Sequence, residues 1–529
     1  MTNNNEHYDI IIIGTGAGGG TVLHELAPTG KKILVLERGE FLPREKSNWS
    51  PTEVYQNQRY YTEEQWCDKE GKVLHPQTCY WVGGNTKVYG AALLQMRERD
   101  FDEVEHKDGI SPAWLLKYQD FAPYYAKAEK LFNVHGLKGQ DPTEPQREEY
   151  PYPPVSHEPQ MQSIVDSLEQ IGYTPFNLPV GLKLNEVDKT LSQCIRCDTC
   201  DGFPCLVGGK ADAEVNCIRP ARQQDNVTLM TGTKVVKLHT NSSGKEVTGV
   251  EAEVEERKIF FSADLVVVAC GAINSAALLL RSANDSHPLG LANSSDQVGR
   301  NFMKHLSTTI IAIGDRPNKS IHQKTIGIND FYWGEDDFPY PMGMVQNTGN
   351  VKVAMIPAEV PLLAPFIKFT PERALESTAQ HSTGWWLQTE DLPTPNNRVR
   401  WTGDKVCVDY TMNNIEARDH LINRWTEILK AIDKTTKHII PFGIYPRSYI
   451  PLSAVGHQCG TCRFGENSAT SVLDLNCRTH DLDNLYVVDG SFFPSNSGVN
   501  PTLTIIANGI RVAEHLKERM AVPQVISNK

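Results

Sequence analysis

A glycine-rich turn near the N-terminus constrains the fold of this chain more than any other feature. Gly14, Gly16 and Gly19 stand in the spacing G-x-G-x-x-G, directly after a run of isoleucines at residues 10–13. The apolar run predicts a strand buried on both faces. In such a motif the first glycine permits a tight turn, the second lets the backbone approach a pyrophosphate, and the third lets helix and strand pack closely.

The segments after this turn complete a strand–helix–strand unit. Residues 21–27 predict a helix, and residues 32–36 predict a second strand that leads to Glu37. A phosphate is favoured at the positive N-terminus of a helix, and an acid about 20 residues after the glycines is suited to hold ribose hydroxyls. Because all these parts occur in order, the sequence predicts dinucleotide binding. The motif alone does not distinguish FAD from NAD.

Length and composition narrow the class of protein. A chain of 529 residues with 40% hydrophobic and 22% charged residues is typical of a globular protein with two large units. The net charge of -12 argues against a nucleic-acid partner. We see no secretory signal, and the longest apolar stretch, residues 265–280, is shorter than the ~20 residues of a membrane helix. We therefore expect no membrane span and, by default, a cytoplasmic location in which most cysteines are free thiols.

The C-terminal part holds two polar residues in patterns that suit a reactive site. Asn500 precedes Pro501 and an apolar stripe, which predicts a helix capped by Asn500 with Pro501 at its first position. The positive end of that helix would stabilise the negative charge of a reduced flavin. His457 lies in a glycine-bearing loop, where a histidine is either catalytic or an ordinary hydrogen-bonded polar residue.

Together these patterns resemble the glucose–methanol–choline (GMC) family of oxidoreductases. The matching segments follow the family's order along nearly the whole chain: Gly14, Gly16 and Gly19 with Glu37, then residues 83–86, 114–136, 263–282, 298–305, 457–465 and 489–513. The set is specific, although no single segment is. The resemblance implies bound FAD, a small-molecule alcohol as substrate, and oxygen or another electron acceptor.

The resemblance also implies roles for individual residues. His457 stands at the position of the family's catalytic base, and Asn500 at that of its partner. The expected cofactor contacts are Gly83, Gly84 and Asn85 beside the flavin, Val235 at the adenine, and Asp489, Gly490, Pro501 and Thr502 toward the ribityl chain and flavin. His457, neutral near pH 7, would accept the hydroxyl proton while a hydride passes to flavin N5. Val88 stands where some relatives carry a histidine that binds FAD covalently, so we expect non-covalent FAD.

The predicted elements give an α/β fold with a discontinuous Rossmann-like FAD-binding domain and an inserted α+β substrate domain built on an antiparallel sheet. Residues 226–238 and 247–261 predict an antiparallel meander, and residues 264–269 a buried strand. A helical pattern at residues 415–438 falls in the inserted unit. We place the FAD-binding domain at residues 1–304 and 453–529, the second part with the catalytic residues, and the substrate domain at residues 305–452.

The substrate is less constrained than the cofactor. Trp385, Trp386 and Gln388 suit the wall of a pocket for a sugar-like or polyol alcohol, although aromatic strands also fill cores. Other GMC activities stay open: a lyase or decarboxylase on the same scaffold, or a dehydrogenase of aliphatic or sterol-type alcohols. A binding module that retains FAD structurally is a further alternative.

A cysteine-rich segment is the last candidate site. Cys194, Cys197, Cys200, Cys205 and Cys217 lie within 24 residues, and the first four are candidate metal ligands because clustered thiolates suit soft metals. The spacing is close to that of bacterial ferredoxins, but the fourth cysteine comes one residue late and no proline follows it. Three interpretations stay open: an iron–sulfur cluster, a zinc or disulfide staple, and free thiols that pack a loop.

Overall fold

The computed structural model describes residues 2–314, 316–359, 370–433 and 445–521. Its largest sheet takes strands from both ends of the chain. In spatial order these are Val227–Met230, Ile33–Leu36, Thr2–Ile13, Arg257–Val268, Val247–Val254 and Lys234–Thr240, and Leu485–Val487 also pairs with Arg257–Val268. The strands around the isoleucine run pair in parallel, while the last two strands form an antiparallel meander. The mixed α/β fold expected from the sequence is confirmed.

The glycine turn leads directly into a helix, Ala17–Leu26. This helix begins earlier than the predicted residue 21, because the glycines after the turn are themselves helical. A side chain at Gly18 would place its Cβ 1.8 Å from the carbonyl oxygen of Val488, so only glycine allows the helix to lie this close to the sheet. The helices Tyr118–Leu131 and Thr502–Arg519 complete this layer, the latter in contact with both others.

The strand boundaries around the meander differ from the prediction. Residues 226–238 do not form one strand: Val227–Met230 joins the parallel edge of the sheet, and Lys234–Thr240 joins the meander. Gly232, with φ of +59°, lies in the turn that separates them. Conversely, the segment 264–269 is not a separate strand, because Arg257–Val268 runs without interruption from the meander into the parallel part.

A second sheet is antiparallel throughout. Its strands follow the order Arg447–Tyr449, Leu306–Ile313, Ser382–Thr389, Met344–Asn347, Ile326–Ile328 and Phe176–Asn177. The helices Ile415–Asp433 and Pro159–Gln170 contact each other, and their apolar side chains share one core with this sheet. The predicted helix 415–438 is confirmed to residue 433, and residues 434–438 lie outside the described residues.

Smaller elements complete the fold. Strands Arg398–Thr402, Lys405–Asp409, Trp66–Asp68 and Val73–Leu74 form a four-stranded sheet, in which a disulfide joins Cys67 to Cys407. Further α-helices among the described residues are Arg219–Ala221, Ala272–Arg281, Ile356–Glu359 and Glu372–Gln380. Short strand pairs occur at Val104–His106 with Gly109–Ser111 and at Val134–His135 with Val180–Gly181. The domain boundaries stay a prediction. No helix among the described residues has the length and apolar character that a membrane crossing requires.

Candidate active site

One cavity of about 760 Å³ lies between the first sheet and the second. Most of the residues singled out from the sequence line it: Gly14, Gly16, Glu37, Gly84, Asn85, Val235, His457, Asp489, Gly490, Asn500 and Thr502. Gly19, Gly83 and Pro501 are not among its lining residues. The fold thus brings segments from the start, middle and end of the chain to one space.

The glycine turn presents its backbone to this cavity. Gly14 has φ of +99°, and a Cβ there would lie 2.4 Å from the carbonyl oxygen of Ala269. A Cβ at Gly19 would lie 2.1 Å from the carbonyl oxygen of Gly14, so Gly19 serves close packing. At Gly16 the added Cβ would meet no atom within 4 Å. The second glycine therefore borders open space at the N-terminus of a helix, which is the arrangement that accepts an anion.

The carboxylate of Glu37 lies at the end of the second strand, where the sequence placed it. Its Oε2 accepts hydrogen bonds from the backbone N–H of Thr15 at 3.0 Å and from Thr15 Oγ1 at 2.6 Å, and its Oε1 accepts from the N–H of Gly39 at 2.9 Å. Burial raises the pKa of Glu37, and these hydrogen bonds oppose the rise. The side chain is thus held rigidly at the cavity wall.

The segment around Gly83 packs directly on the glycine turn. The N–H of Gly83 donates to Thr15 Oγ1 at 3.0 Å, and a Cβ at Gly84 would lie 3.2 Å from the Cα of Gly16. Asn85 accepts a hydrogen bond from the N–H of Cys79 through Oδ1 at 3.0 Å. This loop therefore forms a wall of the cavity beside the turn.

Asp489 joins two segments at the floor of the cavity. Its carboxylate accepts hydrogen bonds from the N–H of Gly271 at 3.0 Å and from the N–H of Ser491 at 2.8 Å. Burial raises the pKa of Asp489. Both carboxylate oxygens are engaged by the chain itself, so the residue positions the neighbouring backbone, including Gly490.

The predicted helix cap at Asn500 is wrong. The C-terminal helix begins at Thr502 with Pro501 as the residue before it, and no side chain caps it. The amide of Asn500 is used elsewhere: its Oδ1 accepts a hydrogen bond from Gln346 Nε2 at 3.0 Å, and its Nδ2 lies 3.5 Å from His457 Nε2. The side chain is therefore turned into the cavity, away from the helix N-terminus.

The side chains of His457 and Asn500 lie next to each other at the cavity. His457 Nδ1 lies 3.1 Å from Nδ1 of His305, so its Nε2 is left to face Asn500 and the cavity. Burial lowers the pKa of His457 well below its ordinary value, and His305 and Lys324 add to this effect. The imidazole is therefore neutral at pH 7 and able to accept a proton at Nε2.

The sequence did not single out several residues of the site. Gln346 and Lys324 line the cavity, and Lys324 Nζ forms an ion pair with Asp201 Oδ2 at 2.7 Å. Arg38 lies over the Tyr80 ring at 3.6 Å, also at the cavity wall. These residues stand in strands and loops without a motif, so no sequence signal marks them. His305 lay in a matched segment but carried no predicted role.

The second sheet presents alternate tryptophans to opposite faces. Trp386 lines the cavity, with its ring centroid 6.5 Å from that of His457. Trp385 points the other way and packs on Trp425 with ring centroids 4.6 Å apart. Gln388 shares the face of Trp386 but is fully buried, where it donates to the carbonyl oxygen of Gly498. Of the predicted substrate wall, only Trp386 reaches the cavity: alternation along the strand turns Trp385 to the other face, and Gln388 is buried against the backbone at Gly498.

The cysteine-rich segment does not support a metal site. Cys194, Cys197, Cys200 and Cys205 are free thiols, and among the described residues no group of three or more His, Cys, Asp or Glu side chains could hold a metal ion. The described residues therefore do not support the suggested iron–sulfur cluster. Burial raises the pKa of Cys194 to about 11, so this free thiol is protonated at pH 7.

Comparisons with known proteins find related sequences and a related fold. Two family models, both described as GMC oxidoreductase, match residues 8–307 and residues 393–509. The chain is 28% identical to the 6'''-hydroxyparomomycin C oxidase of Streptomyces lividus, over 97% of this chain and 92% of that protein. It is 28% identical to the paromamine 6'-oxidase of Streptomyces fradiae, over 96% and 91%. Its fold is similar to that of pyridoxine 4-oxidase from Mesorbium loti, with a TM-score of 0.68, 18% identity and coverage of 97% and 99% of the two chains.

Proposed function

Because this chain belongs to the GMC family of FAD-dependent oxidoreductases, we propose that it binds FAD in this cavity and oxidises an alcohol group of a small polar molecule. One observation carries the proposal. His457 Nε2 and Asn500 Nδ2 lie 3.5 Å apart, in the same cavity that the glycine turn borders. An acceptor and a donor of hydrogen bonds are thereby presented together beside a dinucleotide-type site.

The residues of the cavity fit FAD. Gly16 borders open space, and a side chain at this position would project into that space. A pyrophosphate site at a helix N-terminus requires such a space beside a residue without a side chain. The predicted residues that line the cavity and would hold the cofactor are Gly14, Gly16 and Glu37 toward the ADP part, Val235 at the adenine, and Gly84, Asn85, Asp489, Gly490 and Thr502 toward the flavin. Gly19, Gly83 and Pro501, predicted with them, would act only through the backbone that they position. Val235 presents a mostly buried side chain to the cavity.

The chain's own groups perform the proton chemistry. When bound, FAD supplies the acceptor for the hydride. His457, neutral at pH 7, accepts the hydroxyl proton of the substrate at Nε2, while Asn500 donates a hydrogen bond from Nδ2 to the same oxygen. Because Gln346 Nε2 donates a hydrogen bond to Oδ1 of Asn500, the Nδ2 of the same amide is left to donate to the substrate. Together these contacts hold the alcohol in one orientation.

The cavity favours a polar, hydroxylated substrate. Gln346 and Trp386 line the cavity, so an amide and an indole stand at the wall on which the substrate would bind. The Lys324–Asp201 ion pair adds a donor and an acceptor to the same wall. The names of two relatives, which specify paromamine and a hydroxyparomomycin, favour a sugar-like alcohol or polyol.

The proposal is tested by an anaerobic screen of sugars, polyols and simple alcohols against the purified yellow protein. We expect at least one hydroxylated compound to bleach the flavin absorbance. Oxygen is then admitted, and the rate at which the flavin absorbance returns distinguishes an oxidase from a dehydrogenase. Aliphatic and sterol alcohols serve as the comparison set. A protein whose flavin stays oxidised with every alcohol, but which cleaves or decarboxylates one of them, would be a lyase.

A further inference from the structure

His305 connects His457 to the protein backbone. Its Nδ1 lies 3.1 Å from His457 Nδ1, and its Nε2 lies 2.9 Å from the carbonyl oxygen of Ser497 and 3.1 Å from that of Asn496. The ring is completely buried. The Nδ1 atom of His305 therefore faces another imidazole nitrogen. Its Nε2 atom faces two backbone carbonyl oxygens.

These contacts determine where the protons lie. A carbonyl oxygen only accepts hydrogen bonds, so Nε2 of His305 carries the proton. In a neutral ring Nδ1 then has a free lone pair, and it accepts the proton of His457 Nδ1. His457 consequently has its proton on Nδ1 and an unprotonated Nε2, which is the atom that faces Asn500 and the cavity.

We infer that His305 is a positioning residue that fixes His457 in the tautomer with Nε2 free to accept the substrate proton. This inference rests on the proposed role of His457 as base. The same histidine in the other tautomer would present an N–H to the substrate oxygen and could not accept its proton. The tautomer is set by carbonyl groups of the backbone at residues 496 and 497, a chain of hydrogen bonds that needs no acidic side chain.

The charged groups around the pair are compatible with this assignment. Burial lowers the pKa of His305 to about 4, so the ring is neutral at pH 7. The charge of Glu390 raises the pKa of His305, and that of Lys304 lowers it. The charge of Lys324 lowers the pKa of His457. Glu390 is engaged by His106 at 3.1 Å, and Lys324 is engaged by Asp201 at 2.7 Å.

Two substitutions separate hydrogen bonding from mere space filling. In His305→Asn the amide Oδ1 occupies nearly the place of Nδ1 and accepts from His457, and asparagine tolerates the left-handed backbone, φ of +62°, found at this residue. His305→Leu has similar bulk but no acceptor. His305→Met replaces the leucine variant if that protein does not fold. His135→Leu is the matched control, because His135 is also buried with its ring nitrogens against backbone carbonyl oxygens, those of Pro153 and Leu182, and not against His457.

The test measures anaerobic flavin reduction by stopped flow across pH, with the holoenzymes matched for FAD content. We expect His305→Leu to slow reduction on the order of 10²-fold while the apparent substrate Kd from the same traces is nearly unchanged, because a wrong tautomer impairs only the proton transfer. His305→Asn, which keeps an acceptor for His457 Nδ1, should stay within about tenfold of the parent across the pH range, and His135→Leu should leave the profile unchanged.

A second readout does not depend on turnover. Diethyl pyrocarbonate modifies unprotonated Nε2, so the rate of modification at His457, followed by peptide mass spectrometry, should fall in His305→Leu and be retained in His305→Asn. Equal behaviour of the two variants, or a parent-like profile in His305→Leu, would overturn the inference. Unchanged reduction in His457→Ala would instead remove the base assignment, so the two failures are distinguishable.

Discussion

Gln346 donates a hydrogen bond from Nε2 to Oδ1 of Asn500 at 3.0 Å, and this contact orients the amide beside the proposed base. Without it, the Asn500 amide would be free to rotate and to present Oδ1 to His457. We expect Gln346→Met to lower the rate of flavin reduction about tenfold, the equivalent of one hydrogen bond of ~1.4 kcal/mol. Stopped-flow reduction at saturating substrate measures this, with Gln388→Met, on the same face of the sheet but outside the cavity, as control. Equal losses in both variants would count against an orienting role.

His457→Ala tests the base itself. We expect the rate of flavin reduction to fall by about 10²-fold or more, because general-base catalysis contributes at least that much. The FAD content should stay that of the parent protein, since the substitution removes only a side chain at the cavity wall. A reduction rate equal to that of the parent would exclude His457 from the role.

Gly16 and Gly19 should respond differently to the same small change. Gly16→Ala adds a Cβ that meets no protein atom within 4 Å and keeps an extended backbone, so the apoprotein should remain as stable as the parent. The methyl group would project toward the expected pyrophosphate, and we predict at least tenfold weaker FAD binding, measured by fluorescence titration. In Gly19→Ala the Cβ would lie 2.1 Å from the carbonyl oxygen of Gly14, so we expect about 1–3 kcal/mol lower unfolding free energy. Tight FAD binding by Gly16→Ala would contradict the assignment.

The pH dependence follows from the lowered pKa of His457. The base must be neutral, and the neutral fraction falls as the pH drops through its pKa. Because that pKa lies well below the ordinary value of about 6.5, we expect the rate of flavin reduction to be constant from about pH 6.5 to 8 and to decline only at more acidic pH. A profile that rises through pH 6.5 would show that the base titrates like an exposed histidine.

FAD should be held without a covalent bond. Val88, which lines the cavity after the Gly83–Asn85 loop, offers no nucleophilic atom for attachment. Precipitation with acid should therefore release the yellow colour into the supernatant. Colour that stays with the pellet, together with a peptide mass increased by that of FAD, would show a covalent link elsewhere.

Local patterns in the sequence were enough to predict the strand–turn–helix at Gly14 and the carboxylate of Glu37 at the end of the second strand. They succeed because glycine spacing and apolar periodicity act over a few residues, where backbone sterics dominate. The resemblance supplied the long-range pairing that local patterns lack.

Only the tertiary structure decided which neighbour each polar group has. Asn500 followed by Pro501 is a favourable sequence for a helix N-cap. The amide of Asn500 nevertheless contacts Gln346 and His457 instead of capping the helix, because other segments of the chain bring these two residues next to it. Likewise, only the antiparallel pairing shows that Trp386 and not Trp385 faces the cavity, and only the packing of His305 against backbone carbonyls assigns the protons of the site. Hydrogen bonds and burial between residues far apart in the chain have no local signature, which is the physical reason that the sequence alone could not reveal them.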